Sequence, residues 1–234
     1  MEVTGVVVVD PGHGGIDTGA VGRTDNTVLE KDLALAYGLK LRDELIDKFK
    51  DEKRGLKVVM TRETTEGFLS LQARSQLAKT RGADVLVSIH FNHADAASAR
   101  GTETFVEHTP ENKNPDDDAD LAASLQQSTV SSVQSQDAGG AHRTTFENNW
   151  VLRDGVPIPG VKRAGFAVTK DRESYNGNTE NYRSVKACLI EVEFLSNETA
   201  LDSVKLSGST GETIKNSFAE AAATDIFNNV LNQP

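Results

Sequence analysis

Val6-Val7-Val8-Val9-Asp10-Pro11-Gly12-His13-Gly14-Gly15 is the stretch whose reading decides the fold. Four consecutive β-branched residues read as a strand buried on both faces, because a strand with one wet face would alternate apolar and polar residues. Strands of that kind belong to parallel sheets covered by helices. Asp10-Pro11-Gly12 ends the run, and a glycine-rich turn carrying a single histidine follows.

The pattern continues outward from this strand. Residues 30–49 read as an amphipathic helix, with Ala34, Leu35, Gly38, Leu39, Leu41, Leu45, Ile46 and Phe49 on one side and Asp32, Lys40, Asp43, Glu44 and Asp47 on the other. Residues 56–61 read as the next strand. A second helix over 69–81 is ended by Gly82, and residues 84–90 form a third strand ending at His90. Strand, helix, strand, helix, strand is the pattern of an α/β sheet. The expectation is one domain over residues 1–234: a mostly parallel or mixed twisted sheet with helices on both faces.

The second half reads less regularly. A strand is expected over 102–107, a polar linker over 111–118 and a helix over 119–136. Residues 137–160 hold Gly139, Gly140, Gly155, Pro157, Pro159 and Gly160 and read as a loop excursion, as do residues 171–183. Short strands are expected over 166–169 and 187–192, and a closing helix over 212–231.

Composition excludes several classes. Lys and Arg number 25 against 35 Asp and Glu, giving a formal net charge of −10, the wrong sign for a protein that tracks nucleic-acid phosphates. One cysteine, Cys188, allows neither a disulfide framework nor a cysteine zinc cluster. No apolar run reaches the ~18 residues a membrane span needs. The start, Met1 to Gly5, is acidic, and Val6 to Val9 is too short for a signal-peptide core. Either synthesis begins in the cytoplasm or a leader has been removed.

Four features could carry chemistry. His13 lies in a turn just past a buried strand, where open α/β sheets bind ligands. The plain reading is a tight turn with a surface histidine. A phosphate loop is the other, although the Lys-Ser/Thr pair of a P-loop is missing and the nearest cations are Arg23 and Lys31. His90 ends a second strand. Two strand-end histidines favour a metal, imidazole being a common ligand, while His93 reads as a surface residue. Glu30 opens a helix, where the macrodipole alone would favour it. As a ligand it would complete a two-His, one-Glu set that leaves a position open for water. Last, Glu191 and Glu193 interrupt the apolar run Ala187 to Leu195. If the run is extended they share a face. They either face solvent on an edge strand, or put a carboxylate beside the metal water as general base and then acid.

In this order and spacing the chain resembles the zinc-dependent N-acetylmuramoyl-L-alanine amidases of the type 3 family. The matching segments are Asp10 to Gly15, Glu30, Thr61-Arg62, Leu71 with Arg74, Ala83-Asp84 to His90, Gly101 to Thr104, Gly160 to Val168, and Glu191 to Asn197. They span about residues 6–197. The resemblance implies Zn2+ held by His13, Glu30 and His90, with Glu191 as the catalytic carboxylate. It implies cleavage of the amide between the lactyl group of N-acetylmuramic acid and L-alanine in peptidoglycan. A silent peptidoglycan-binding module of the same fold is the alternative, though a pure binder has no need of Glu191.

Two departures stand out. The family has a small residue where this chain has Glu193, which here either raises the pKa of Glu191, contacts the stem peptide or points away. Residues 137–160 and 171–183 are also longer than the family's usual connections, and some relatives carry an inserted helix whose carboxylate plugs the zinc until a protein activator removes it. Glu147 and His142 are the candidates for that part, against the plainer reading of 137–160 as a groove loop. Action on the cell wall, periplasmic or extracellular, suits either a phage endolysin released at lysis or a cellular autolysin whose leader was removed.

Overall fold

The computed structural model describes residues 3–50, 55–107, 112–143, 149–170 and 184–231. Seven strands form one mixed sheet: β1 (Val3–Pro11), β2 (Gly55–Met60), β3 (Val85–Asn92), β4 (Glu103–Val106), β5 (Trp150–Arg153), β6 (Val156–Arg163) and β7 (Lys186–Phe194). Their spatial order is β2-β1-β3-β7-β4-β6-β5. The first four in that order run parallel, and β4 turns the sheet antiparallel against β7. The helices are α1 (Glu30–Phe49), α2 (Leu71–Arg81), α3 (Pro115–Gln134), the short α4 (Ser203–Ser207) and α5 (Ser209–Leu231).

The valine run explains why both faces are covered. Successive strand residues point to opposite faces. Val7 and Val9 join Leu41 of α1, Leu125 of α3 and Phe218 of α5 in the larger core. Val8 joins Leu86, Leu189, Ala78 of α2 and Val168 on the other face. All three valines are fully buried, worth about 1.5–3 kcal/mol each in removed apolar surface. The α/β sheet with helices on both faces is therefore as expected from the sequence.

The second half differs in instructive ways. The expected excursion over 137–160 contains β5 and β6, and Val161 pairs with Thr104 and is fully buried. The two strands are joined by Asp154 (φ 53°) and Gly155 (φ 79°). Both central φ values are positive, as a type I′ hairpin turn requires, and Asp-Gly is the dipeptide that favours it. The proline and glycine content of 155–160 masked that signal. The linker expected over 111–118 is already helix from Pro115, since proline suits the first helical position and Asp116, Asp117 and Asp118 complement the dipole. The strand expected over 166–169 is a 3₁₀ turn at Ala167–Thr169. Helix α4 was not foreseen; Asp202 caps it by accepting from the Lys205 N–H at 2.9 Å. Glu147 and residues 171–183 lie outside the described residues.

One polar cluster ties the parallel strands together beneath their carboxyl ends. Asp10 of β1 is fully buried. Its Oδ1 accepts from the Thr61 hydroxyl at 2.6 Å and from the Arg74 guanidinium of α2 at 2.7 Å, and its Oδ2 accepts from Ser88 of β3 at 2.6 Å. Removing one partner of a buried pair strands the other charge, at a cost of about 3–5 kcal/mol. Arg74→Leu should lower the unfolding free energy by about that amount in urea titrations. Pairing it with Asp10→Asn should cost less than the sum of the single changes.

Candidate metal centre

His13, Glu30 and His90 come from three elements and meet above the carboxyl ends of β1 and β3. One ligand atom from each lies within 4.8 Å of the others. Glu30 Oε1 sits 3.0 Å from His13 Nε2 and 2.8 Å from His90 Nδ1. Zinc ligands at ~2.1 Å in tetrahedral directions lie roughly 3.4 Å apart, so modest adjustment would open the cluster around an ion. Two imidazoles and one carboxylate are also the right donor types for zinc.

Each side chain is held by its surroundings. His13 adopts φ 60°, a left-handed conformation uncommon for a residue with a Cβ. The turn is gripped through its carbonyls: Arg74 donates to Pro11 O at 2.8 Å and to His13 O at 2.6 Å, and Arg62 donates to Gly12 O at 2.7 Å. Arg62 also donates to Lys31 O at 2.6 Å, which ties the turn to the start of α1. Gly12 permits the His90 ring to lie against the backbone, since a Cβ there would fall 2.3 Å from its Cε1. Glu30 does not serve as a mere dipole partner. Its carboxylate is buried, accepting from Ala20 N at 2.7 Å and Phe91 N at 3.0 Å while facing both histidines.

The charges follow from this packing. Burial would raise the Glu30 carboxyl, yet the two histidines outweigh it and hold Glu30 far below the usual range. Burial works to lower His13, and the carboxylates of Glu30 and Asp17 overcome it and raise its pKa. Asp17 Oδ1 lies 3.0 Å from His13 Nδ1, the nitrogen turned away from Glu30. A carboxylate there fixes the tautomer that presents Nε2 to the centre. Sequence reasoning overlooked Asp17, because a spacing of four residues means proximity only in a helix, and this segment is an irregular turn.

Glu191 lies beside the centre. In the parallel pair β3–β7 its Cα is the partner of His90, and in the antiparallel pair β4–β7 it is the partner of Glu103. It lines a cavity of about 480 Å³ together with His13, Glu30 and His90. Burial pushes its carboxyl well above the usual range, and the Glu30 and Glu103 charges add to that. Glu191 Oε2 is enclosed and has no hydrogen-bond partner among the described residues. Strand β7 is central, so the edge-strand reading of these glutamates does not hold.

Glu193 has a different role. β3 and β7 shift register between His90 and Asn92, inserting one extra residue in β7 and interrupting its alternation. Glu193 is fully buried and accepts from Gly101 N at 2.6 Å and Phe194 N at 3.0 Å. It is therefore no substrate contact, and Glu191 is repelled by Glu30 and Glu103 instead. His142, the described candidate for a plug, bonds Gln126 at 3.1 Å and does not line the cavity. His93 is exposed at the cavity rim. Both cations that a phosphate loop would call on are bound to carbonyls: Lys31 to Gly15 O at 2.8 Å, and Arg23 to Ala94 O and Asp95 O at 2.9 Å.

A family model described as N-acetylmuramoyl-L-alanine amidase matches residues 7–226. An uncharacterized Bacillus subtilis protein, YqiI, is 41% identical over 133 residues, which cover 57% of this chain and 58% of that protein. The Escherichia coli N-acetylmuramoyl-L-alanine amidase AmiA is 39% identical over 101 residues, 43% of this chain and 32% of that protein. The chain thus matches from about a third to under three fifths of the length of these curated relatives. The crystal structure of an N-acetylmuramoyl-L-alanine amidase from Clostridium difficile 630 superposes with a TM-score of 0.69 at 25% identity, covering 99% of both chains.

The buried Glu193 makes a pH-dependent contribution to stability. Burial, the largest influence, raises its pKa in the folded chain, against the two N–H groups that lower it. The stability tied to its proton is fully present below the usual glutamate range and is lost as pH rises through the raised value. Glu193→Gln keeps the Oε1 acceptor and removes the titration. Its melting temperature should gain on the parent's between about pH 4 and about pH 8, as read by thermal unfolding. A constant difference across that range would contradict this account.

Proposed function

This chain belongs to the N-acetylmuramoyl-L-alanine amidase family, and on that premise we propose that it is a zinc hydrolase of peptidoglycan. It cleaves the amide between the lactyl group of N-acetylmuramic acid and the L-alanine of the stem peptide. The observation that carries the reading is the meeting of His13, Glu30 and His90 within 4.8 Å, with Glu191 the strand partner of His90. A binding module would have no use for an enclosed carboxylate beside such a cluster. The family acts on the cell wall, so the reaction belongs to the periplasm or the extracellular side. No helix among the described residues is long and apolar enough to cross a membrane. We read residues 1–234 as one catalytic domain, in keeping with the match over 7–226.

His13, Glu30 and His90 would hold the zinc. When bound, zinc supplies a Lewis acid for the scissile carbonyl and lowers the pKa of water beside it. His13 offers Nε2 while Asp17 holds Nδ1, and Glu30 is kept ionised by both imidazoles. Glu191 accepts a proton from the attacking water as the carbon–oxygen bond forms. It then delivers that proton to the nitrogen of L-alanine as the carbon–nitrogen bond breaks, leaving a lactyl carboxylate and a free amine. A carboxyl raised by burial suits both transfers, being a stronger base than a solvated one and, once protonated, the acid that serves the leaving nitrogen. Arg62 and Arg74 do not touch the reacting atoms; they hold the turn on which His13 stands.

Three experiments test this. Purified protein should carry one zinc per chain by elemental analysis and release L-alanine amino termini from peptidoglycan only while loaded. Glu191→Gln should keep its zinc and lose about 10²- to 10⁴-fold in kcat; full activity in that variant would overturn the assigned mechanism. Asp17→Asn should weaken zinc binding about 10- to 100-fold in a competition titration with a chelating dye, since it removes the carboxylate that orients His13. Unchanged zinc affinity would leave Asp17 as a bystander.

A further inference from the structure

The cavity beside the metal centre carries an apolar wall that the hydrolytic chemistry does not use. Nine large hydrophobic side chains are exposed among the described residues, and three of them, Phe68, Leu71 and Phe166, line this one cavity. They are 56%, 62% and 38% exposed. Exposed apolar side chains that converge on a catalytic pocket mark a contact surface for a ligand.

The wall is rigid where it meets the site. The segment before α2 lies on the histidine turn: a Cβ on Gly15 would fall 3.3 Å from Phe68 Cβ, and one on Gly14 would fall 2.1 Å from Gly67 O. Arg74 donates to Leu69 O at 3.1 Å, so the arginine that holds His13 O also holds the backbone next to Phe68. Phe166 comes from a separate segment and packs edge-on against Phe105, with ring centroids 5.3 Å apart. Two aromatic rings from different parts of the chain thus stand at one cavity in fixed places.

Charge narrows what the wall can take. The acidic groups lining the cavity include Asp17, Glu30 and Glu191. Arg74 is the one cationic side chain other than histidine that lines it among the described residues, and its guanidinium is engaged by Asp10 and by backbone carbonyls. Among the described residues, an anionic part of the substrate finds no free cationic side chain there. A neutral N-acetylated sugar suits the wall, because its ring face of C–H bonds and its acetyl methyl pack against aromatic faces.

We propose that Phe68 and Phe166, with Leu71, form a saccharide subsite that holds the muramoyl sugar and directs its lactyl amide to the metal centre. The proposal rests on the amidase reading and adds that the enzyme recognises the glycan side of the scissile bond by apolar stacking. The test compares kcat/KM on two substrates with the same scissile amide: a disaccharide muramoyl-L-alanyl peptide, and the matching D-lactoyl-L-alanyl peptide without sugar. The parent should prefer the sugar-bearing substrate. Phe68→Ala and Phe166→Ala should each cut that preference about 5- to 10-fold, and Phe68→Tyr should restore most of it. Val204→Ala, an exposed apolar change away from the cavity, should leave the preference unchanged. Equal loss on both substrates, or no loss, would overturn the subsite.

A second measurement does not depend on turnover. Phe68→Trp, titrated with an N-acetylated chitooligosaccharide, should give a saturable change in emission that the parent, with Trp150 alone, does not give. Absence of that change would overturn the subsite even if the protein cleaved neither substrate, whereas such inactivity would by itself count against the amidase reading.

Discussion

The grip of Arg62 and Arg74 on the carbonyls of Pro11, Gly12 and His13 is the interaction on which the rest of the site depends. A non-glycine residue at φ 60° costs on the order of 1–2 kcal/mol. Two guanidiniums donating to three consecutive carbonyls offset that cost, since charge-assisted hydrogen bonds are the strong ones. The same arginines reach Asp10, Lys31 O and Leu69 O. Strand β1, helix α1 and the segment before α2 are thereby fixed relative to one another, and with them the histidine, the Glu30 carboxylate and one wall of the cavity. Burial and the Arg74 charge lower Arg62 to about 10, which still leaves it cationic at neutral pH.

Above this framework the carboxylates are sorted by what each is bonded to. Glu30 faces two imidazoles and two backbone N–H groups, so ionisation is favoured despite burial. Glu191 is pushed above the usual carboxylate range by burial first and then by two carboxylate neighbours, with one enclosed oxygen that has no partner among the described residues. Glu103, paired with Lys162 and bonded by Asn92 at 2.7 Å, supplies part of that repulsion. Two glutamates lining one cavity thus have opposite tendencies, which is what the proposed division into ligand and proton carrier requires.

Parallel pairing does the remaining placement. Strands β1, β3 and β7 all end on the same side, and the β3–β7 register sets Glu191 level with His90. The reversal at β4 brings Glu103 to Glu191 from the other side. The bulge in β7 then separates Glu191 from Glu193 in function: one faces the cavity, and the other caps the Gly101 and Phe194 N–H groups in the interior. Two residues apart on an ideal strand would have put both in the site.

The sequence by itself determined the α/β class, the strand ends that carry His13 and His90, the helix that begins at Glu30, and the composition that excludes a nucleic-acid binder. These are local matters: β-branched runs, a 3.6-residue period and turn residues are written in consecutive positions. The Asp154-Gly155 hairpin was local too, and it was legible, but surrounding prolines and glycines obscured it. Tertiary structure alone decided the rest. Which carboxylate of β7 enters the cavity depends on a register shift. Asp17 reaches His13 through an irregular turn. Phe68 and Phe166, nearly a hundred positions apart, share a cavity because α2 and the Ala167–Thr169 turn pack on the same face of the sheet. Such neighbours are set by long-range packing and pairing register, which no periodicity in the chain encodes.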